Sequence, residues 1–287
     1  SFRVCIILIF IKFNIDIMKT KKNPLVTIII TNFNKSKYLV KAIKSCVNQK
    51  YQKIEIIFFD DKSTDDSLKR LKDFKIKNKV NLEIITNNKK IQKTAPINQM
   101  IGIKKGLSKA KGKFIFFLDS DDFFHKNKIY EIMNIFFRNK KIKLIFDQPI
   151  YKYKSKEIKK NYYVKKVKNI WPKFPPTSCM SFETKTLKKV INKINFERYP
   201  NLAIDFYLAV YYSIILNNFY IHNSHLTYYR QLSDGTDSRY IKYKSKFWWI
   251  RRGEAFEFLN KLLIKNKLPK NQGVDYYLTM VLNKFLK

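Results

Sequence analysis

Glycine is scarce in this sequence. There are six glycines in 287 residues, and none of them forms the GxGxxG or GxxxxGK[ST] cluster that cradles phosphates. NAD-linked dehydrogenases and P-loop ATPases are therefore poor fits. The three cysteines, Cys5, Cys46 and Cys179, include no close pair, which argues against a disulfide framework or a zinc ribbon and is typical of a reducing cytoplasm.

Acidic residues are also few. The chain has 22 Asp and Glu against 59 Lys and Arg, which gives a formal net charge of +37. Such a charge attracts polyanions, so nucleic acid and anionic membrane surfaces are candidate partners. The lysines are spread along the whole chain and accompany abundant Asn, Ile, Phe and Tyr, all of which have AT-rich codons. The excess is therefore interpreted first as compositional, and nucleic acid is not the expected partner.

No apolar run is long enough to span a bilayer. The run VCIILIFI at residues 4–11 is far shorter than the roughly 20 residues that a membrane-spanning helix needs. The chain begins with Ser1, and Met18 followed by Lys-Thr-Lys-Lys resembles a natural start. Residues 1–17 are therefore interpreted as upstream translation or a fragment artefact, with a short membrane-surface anchor as the alternative.

From residue 24 onward, strand and helix patterns alternate. Continuous β-branched or aromatic runs indicate strands buried on both faces, and apolar residues at helical spacing indicate amphipathic helices. Strands are predicted at 26–31, 54–59, 82–86, 114–118 and 144–146, and helices at 36–48, 63–74, 97–110 and 126–138. This order predicts an α/β fold with a parallel sheet and right-handed crossovers.

The second half of the chain is less regular. The pattern predicts an edge hairpin at 151–168, helices at 185–192, 202–216 and 247–264, and short strands at 219–221 and 226–229. The chain is accordingly divided into an N-terminal extension (1–23), a first half (24–150), a second half (151–240) and a C-terminal helical segment (241–287).

Acidic residues follow two of the predicted strands. Asp60 and Asp61 end the second strand, and Asp119, Asp121 and Asp122 end the fourth. Ligands of open parallel sheets bind beyond the carboxyl ends of the strands. Carboxylates that converge there repel one another unless a cation lies between them, and Mg²⁺ binds carboxylates together with substrate phosphates. The sequence therefore predicts a metal–diphosphate site.

Three blocks of the sequence resemble the family 2 inverting glycosyltransferases, which have the GT-A fold. The blocks are VTIIITNFNKSKYLVKAIKSCVNQ, IEIIFFDDKSTDDS and KGKFIFFLDSDD, in the family's order and spacing over residues 26–122. The resemblance implies a Rossmann-like, mostly parallel sheet flanked by helices, with an irregular acceptor-side half and C-terminal helices. It also implies that residues 24–150 bind a nucleotide sugar and residues 151–240 bind the acceptor.

The same resemblance implies the residues of the donor site. Asp119-Ser120-Asp121 corresponds to the DxD motif, so Asp119 and Asp121 are the predicted ligands of Mn²⁺ or Mg²⁺. Arg230 lies in a Tyr-Arg segment similar to the family's and is expected to contact the diphosphate or brace the acceptor loop, with a structural ion pair as the alternative. The complete predicted donor set is Thr31, Asn32, Phe33, Asn34, Asp60, Asp61, Asp119, Ser120, Asp121, Asp122 and Arg230.

Part of the chain departs from the family's pattern. The family often carries an Ala-Arg-Asn segment before the glycine that corresponds to Gly106, and this chain has Gly-Ile-Lys-Lys at 102–105. Lys104 and Asn98 are both candidates for the missing donor contact.

The second half should supply the catalytic base. Inversion by a single displacement needs a carboxylate that takes the proton from the attacking hydroxyl. The family provides it from an acidic pair that opens a helix, and the similar segment here is YPNLAIDFYLAVYY at 199–212. Asp205 is the predicted base, with an ordinary first-turn helix carboxylate as the alternative. Thr177 and Ser178 are expected on a strand that lines the acceptor side.

The predicted function is sugar transfer with inversion from a nucleotide-diphosphate sugar, UDP-sugar first, to a glycan or lipid-linked glycan acceptor in bacterial surface polysaccharide synthesis. The expected location is the cytoplasm, at the inner face of the cytoplasmic membrane. Peripheral membrane contact is considered for the helix at 247–264, although its aromatic residues are interpreted first as core. The alternatives are transfer to polyprenyl phosphate, a basic nucleic-acid-binding protein and a non-catalytic nucleotide binder.

Overall fold

The computed structural model describes residues 23–78, 80–87, 93–163, 173–232 and 245–286. The interpretation of residues 1–17 and the end of the hairpin predicted at 151–168 lie outside these ranges. Within them, no helix combines the length and the apolar character needed to cross a membrane.

Strands and helices alternate as predicted through the first half. The strands are β1 (Val26–Asn32), β2 (Ile54–Asp60), β3 (Leu82–Thr86), β4 (Phe114–Asp119), β5 (Phe123–Phe124), β6 (Leu144–Lys152), β7 (Glu157–Lys159), β8 (Met180–Glu183) and β9 (Phe219–Arg230). The helices are α1 (Ser36–Val47), α2 (Ser67–Asn78), α3 (Ala95–Lys109), α4 (Lys128–Arg138), α5 (Thr184–Lys193), α6 (Ile204–Val210), α7 (Lys246–Lys265) and α8 (Val274–Leu286).

One sheet runs through both halves of the chain. Its order is β3-β2-β1-β4-β8-β6-β9-β5, with β7 paired to β6. Strands β1 to β4 pair in parallel, whereas β8 is antiparallel to both β4 and β6. The predicted α/β class with a mostly parallel, helix-flanked sheet is confirmed. Because β8 joins β4, the second half extends the sheet of the first.

Helices cover both faces of the sheet. Alternate residues of a strand point to opposite faces, and on β1 this sends Ile29 into one core and Ile28 and Ile30 into the other. Helices α3, α5, α6 and α7 pack on the Ile29 face, and α1, α2 and α4 pack on the opposite face. Strands buried on both faces explain the continuous apolar runs of the sequence.

Two glycines of α3 lie where the helix approaches the sheet most closely. A Cβ atom at Gly102 would lie 2.3 Å from Cδ1 of Phe59, and one at Gly106 would lie 2.8 Å from Cγ2 of Ile29. Glycine weakens a helix interior, but here it permits packing that a larger residue would block. The predicted helix therefore forms despite its glycines, and they fix its height above β1 and β2.

Three predictions for the second half need correction. The two short strands predicted at 219–221 and 226–229 form one strand, β9, because it pairs with β6 along its length and a register shift near Gln148 absorbs the irregular middle. Thr177 and Ser178 lie in a 3₁₀ turn before β8 and not on a strand. The helix predicted at 202–216 becomes a π-helix over Tyr211–Leu216 after α6 ends.

A buried ion pair lies beneath the carboxyl edge of the sheet. Nζ of Lys128 on α4 lies 2.7 Å from Oδ1 of Asp147 on β6, and both side chains are inaccessible to solvent. The ammonium group also donates to the Ser178 carbonyl and to Oγ1 of Thr227, each at 2.6 Å. Lys128 thereby connects α4, the turn before β8, and strands β6 and β9.

Replacing Lys128 with Met should lower the free energy of unfolding by about 3–5 kcal/mol, because it leaves the Asp147 carboxylate buried without its counter-ion. Urea unfolding followed by circular dichroism measures this loss. Lys143→Met is the matched control: Lys143 pairs with Glu183 at 2.8 Å, but both side chains are partly exposed, so the loss should stay below about 1 kcal/mol. Equal losses in the two variants would contradict this account.

Candidate functional site

Strands β1, β2 and β4 end side by side, and their last residues form the site. The strand register places Asn32 opposite Asp60 and Thr31 opposite Asp119. Asn34, just beyond β1, has a φ of 52°, in the left-handed region that asparagine adopts more readily than most residues. This turn ends β1 and starts α1 two residues later.

Asp60 ties the turn after β1 to the turn after β2. Its side chain is fully buried and accepts hydrogen bonds from Nδ2 of Asn32 at 2.7 Å and from Oγ of Ser63 at 2.7 Å. The backbone N–H of Ser63 donates to its second oxygen at 2.8 Å. The geometry assigns Asp60 to holding the two turns together.

Asp61 lies in a chain of polar side chains with Asn87, which follows β3, and with residues of α3. Nδ2 of Asn87 donates to its Oδ1 at 2.6 Å, and Nζ of Lys105 donates to Oδ1 of Asn87 at 2.6 Å. Asn98 also hydrogen-bonds the Asp61 carboxylate. Burial raises the pKa of Asp61 above its ordinary value. Asn98 and Lys104 were the two candidates for the donor contact that the family makes before the glycine corresponding to Gly106. Asn98 lies beside Asp61, whereas Nζ of Lys104 lies over the ring of Phe196.

Asp119 ends β4 at the centre of the site. Oγ1 of Thr31 donates to its Oδ1 at 3.1 Å, and Nε2 of Gln99 on α3 donates to the same oxygen at 2.6 Å. Burial and the nearby charge of Asp121 raise the pKa of Asp119 to about 7. Next to it, Ser120 is buried, and its N–H donates to the carbonyl of Thr31 at 3.0 Å.

Asp122 anchors the turn after β4 to the second half of the chain. Oγ of Ser178 donates to its Oδ2 at 2.6 Å, and the backbone N–H of Arg230 donates to its Oδ1 at 2.8 Å. Ser178 Oγ also accepts the backbone N–H of Asp119 at 3.0 Å. Burial and repulsion from Asp121 and Asp119 raise the pKa of Asp122 well above its ordinary value. Ser178 therefore positions the turn formed by residues 119–122.

Asp121 faces two basic side chains. Its Oδ2 lies 3.8 Å from Nζ of Lys35, and its side chain is 21% exposed. The Arg230 guanidinium donates to the backbone carbonyl of Asp121. That guanidinium lies over two rings, 5.1 Å from the centre of Tyr38 and 4.8 Å from the centre of Phe123. The site thus places positive charge beside Asp121, the second aspartate of the turn after β4.

Within the described ranges, no group of three or more His, Cys, Asp and Glu side chains is arranged to hold a metal ion by itself. Asp119 and Asp121 supply two carboxylates, which fits a Mg²⁺-like ion that takes its other ligands from substrate phosphates and water. Burial, and then repulsion between the aspartates, raises the pKa values of Asp119 and Asp122, and a divalent cation would relieve the repulsion.

Asp205 lies at the first turn of α6 and reaches the same end of the sheet. Its Oδ1 accepts the backbone N–H of Phe206 at 2.7 Å. Its charge contributes to the raised pKa of Asp119 and to that of Tyr162, so the carboxylate lies near both groups. Residues separated by more than 80 positions in the sequence are therefore brought into one site.

Tyr162 lies near Asp205 and belongs to a cluster of aromatic residues. The hydroxyls of Tyr151 and Tyr162 hydrogen-bond each other, and the Tyr151 ring packs edge-on against Tyr229. Buried Gln148 holds the Tyr162 backbone through two hydrogen bonds, at 2.8 and 3.1 Å. On the donor side, Phe33 is 44% exposed just beyond β1.

The sequence interpretation missed four residues of the site: Gln99, Lys105, Asn87 and Lys35. Asn87 directly follows β3, so the strand-end argument that selected Asp60 and Asp119 could also have found it. Gln99 and Lys105 lie on α3, and no local pattern indicates which of its polar residues faces the sheet edge. Lys35 sits immediately before α1, among many other lysines.

Comparisons with known proteins identify a family for this chain. The protein-family model described as Glycosyl transferase family 2 matches residues 27–201. An uncharacterized glycosyltransferase of Haemophilus influenzae is 38% identical over 119 residues, which cover 40% of this chain and 44% of that protein. The chondroitin synthase of Escherichia coli is 32% identical over 120 residues, which cover 41% of this chain and 16% of that protein. The matched part thus spans less than half the length of either relative.

Solved structures share the fold at low sequence identity. The crystal structure of Staphylococcus aureus TarS 1–349 in complex with UDP has a TM-score of 0.61 at 15% identity and covers 91% of this chain and 70% of that one. The mannosyltransferase PcManGT of Pyrobaculum calidifontis, in complex with GDP-Man and Mn²⁺, has a TM-score of 0.56 at 11% identity and covers 93% of this chain and 70% of that one. The family match extends over more than half of the chain, which therefore belongs to glycosyltransferase family 2.

Proposed function

We propose that this glycosyltransferase moves a sugar from a nucleotide-diphosphate sugar to a glycan hydroxyl with inversion. One observation carries the proposal: the two acidic strand ends, Asp61 and Asp119–Asp122, share an edge of the sheet with a separate carboxylate, Asp205, close to Asp119. The acidic residues at the two strand ends are suited to binding a nucleotide diphosphate together with a cation. The separate carboxylate of Asp205 is suited to taking a proton from an acceptor.

The donor nucleotide is proposed to bind above β1, β2 and β3. Asp61 offers carboxylate oxygens to the N–H groups of a base, and Asn87 and Asn98 surround it with amide groups. Phe33 offers an exposed ring beside the same strand ends. A UDP-sugar is the first candidate because the structures of TarS, which has this fold, include complexes with UDP and UDP-GlcNAc.

The diphosphate is proposed to lie between the DxD turn and the basic side chains Lys35 and Arg230. Asp119 and Asp121 would hold Mn²⁺ or Mg²⁺, and the related fold of PcManGT contains Mn²⁺ together with GDP-Man. When bound, the ion stabilises negative charge that develops on the leaving nucleotide diphosphate. Gln99 and Thr31 orient Asp119, and Ser178 holds the turn. In this arrangement Asp121 would face the phosphates.

Asp205 is proposed as the base that accepts the proton of the attacking hydroxyl. It is separated from the DxD aspartates in sequence but close to Asp119 in space. The polar rings of Tyr151 and Tyr162 lie on its side of the site and suit contact with a sugar acceptor. A glycan acceptor, and a role in polysaccharide synthesis, are proposed because the chondroitin synthase of Escherichia coli is a relative.

The cytoplasm is the proposed location. Among the described residues, Cys46 and Cys179 are both free thiols and both buried, which suits a reducing compartment.

Replacing Asp205 with Asn should lower kcat by about a hundredfold to ten-thousandfold, because the amide cannot accept the acceptor's proton. The rate at which free nucleotide forms from saturating donor sugar measures kcat. Calorimetry should find the Kd of the donor unchanged. Asp275→Asn is the matched control, since Asp275 holds the equivalent position in the first turn of α8. Full activity in Asp205→Asn would remove Asp205 from the mechanism.

The adjacent residues Asp60 and Asp61 should separate stability from binding. Asp60→Ala should lower the free energy of unfolding by about 2–4 kcal/mol, since it strands the buried donors of Asn32 and Ser63. Asp61→Asn should leave unfolding nearly unchanged but weaken UDP binding about tenfold or more, the equivalent of one charge-assisted hydrogen bond. Unfolding in urea measures the first effect, and calorimetric titration of UDP measures the second. If Asp61→Asn leaves the UDP affinity unchanged, the uracil ring does not bind at Asp61.

A further inference from the structure

The outer face of the last helix, α8, is apolar and exposed. Val274, Leu278, Val281 and Phe285 recur at spacings of four and three residues, which places them on one face of the helix. Val274 is 86% exposed, Phe285 is 82% exposed, and Tyr277 at the side of this face is 55% exposed. We call this face, with Leu278 and Val281, the α8 outer face. Soluble surfaces carry scattered apolar residues, but a continuous row of them indicates an interaction site.

The opposite face of α8 packs against α7 and fixes the orientation of the helix. Thr279 is fully buried, and Arg252 of α7 donates to its hydroxyl at 3.2 Å. Nδ2 of Asn283 donates to the carbonyl of Trp249 at 2.9 Å, and the Tyr276 ring packs against Phe256 at 5.3 Å. Specific contacts therefore turn the outer face away from α7.

Basic residues adjoin the amino-terminal end of the same helix. A cavity of about 410 Å³ lies there between the turn before α6, α7, the segment before α8 and Tyr276 of α8. Its lining includes three cations, Arg198, Lys261 and Lys270, and one anion, Glu257. Lys265 at the end of α7 and Lys267 in the connection that follows are exposed. A positively charged concave surface thus lies next to an exposed apolar one.

We propose that the α8 outer face docks the protein on the surface of an anionic lipid membrane. The apolar residues would enter the boundary between head groups and acyl chains, as in amphipathic helices that lie in a membrane interface. Arg198, Lys261 and Lys270 would contact lipid phosphates beside it, since basic residues near an anionic leaflet each contribute attraction. This proposal does not depend on the identity of the transferred sugar.

Charge favours lipid over the other occupants of an apolar face. A second copy of this chain would bring two molecules of formal charge +37 together, and their repulsion opposes such a dimer. Nucleic acid would match the lysines but offers nothing for the row of aliphatic and aromatic residues on α8. An anionic bilayer satisfies both features. The sequence analysis favoured a core role over membrane contact for the aromatic residues of α7, and Phe256 and Phe258 are buried in the core.

The test is cosedimentation of the full chain with vesicles, either pure phosphatidylcholine or an equal mixture with phosphatidylglycerol. The double variant Leu278→Ser/Phe285→Ser removes apolar surface without changing the net charge. It should weaken binding to the mixed vesicles about tenfold or more, the effect of withdrawing part of two large apolar side chains from the membrane. Ile76→Ser, at a 78% exposed position on α2, is the matched control and should bind as the unmodified chain does.

The charge contribution is tested with Lys261→Gln and Lys270→Gln. Each should weaken binding to mixed vesicles about fivefold and leave the weak binding to pure phosphatidylcholine unchanged. Three results would overturn the proposal: no binding to mixed vesicles, equal binding of the α8 double variant, or a dimer in sedimentation velocity that the double variant dissociates. Circular dichroism of each variant confirms that the fold is retained.

Discussion

Electrostatic repulsion at the end of β4 is the constraint on which the rest of this structure depends. Asp119, Asp121 and Asp122 stand within one turn, and burial with mutual repulsion raises the pKa values of Asp119 and Asp122. The fold holds them together through hydrogen bonds from Thr31, Gln99 and Ser178, and through the basic groups of Lys35 and Arg230. We propose that a turn maintained at such a cost is preorganised for a cation and a diphosphate, whose binding would relieve the repulsion.

The second half of the chain makes this turn possible. The turn before β8 and the end of β9 deliver Ser178 and the Arg230 N–H to the two oxygens of Asp122. The buried Lys128–Asp147 pair lies directly beneath, where Lys128 contacts the Ser178 carbonyl. The irregular half thus supports the turn of residues 119–122 and also carries Asp205. Disturbance of either buried network should reach that turn.

The strands and the acidic edge could be predicted from the sequence because both follow from local pattern. Continuous apolar runs gave the positions of β1 to β4, and the rule that ligands bind beyond parallel strand ends selected Asp61, Asp119 and Asp121. Gln99 and Lys105 were not predictable, since the rotation of α3 is set by contacts of Gly102 with Phe59 and of Gly106 with Ile29. The continuity of β9 also depends on pairing with β6, which no local pattern records. The placement of Ser178 in a turn was likewise not predictable, because it depends on contacts with residues distant in the sequence.

Calorimetric titration of UDP and GDP, with and without Mn²⁺, tests the central claim most directly. The account predicts nucleotide binding that is strengthened by Mn²⁺ in the unmodified chain and loses that dependence in Asp121→Ala. Asp73→Ala, on the exposed side of α2, should bind as the unmodified chain does and serves as the control. If the folded protein binds neither nucleotide, or if Asp121→Ala retains the full effect of Mn²⁺, the DxD turn is not the diphosphate site.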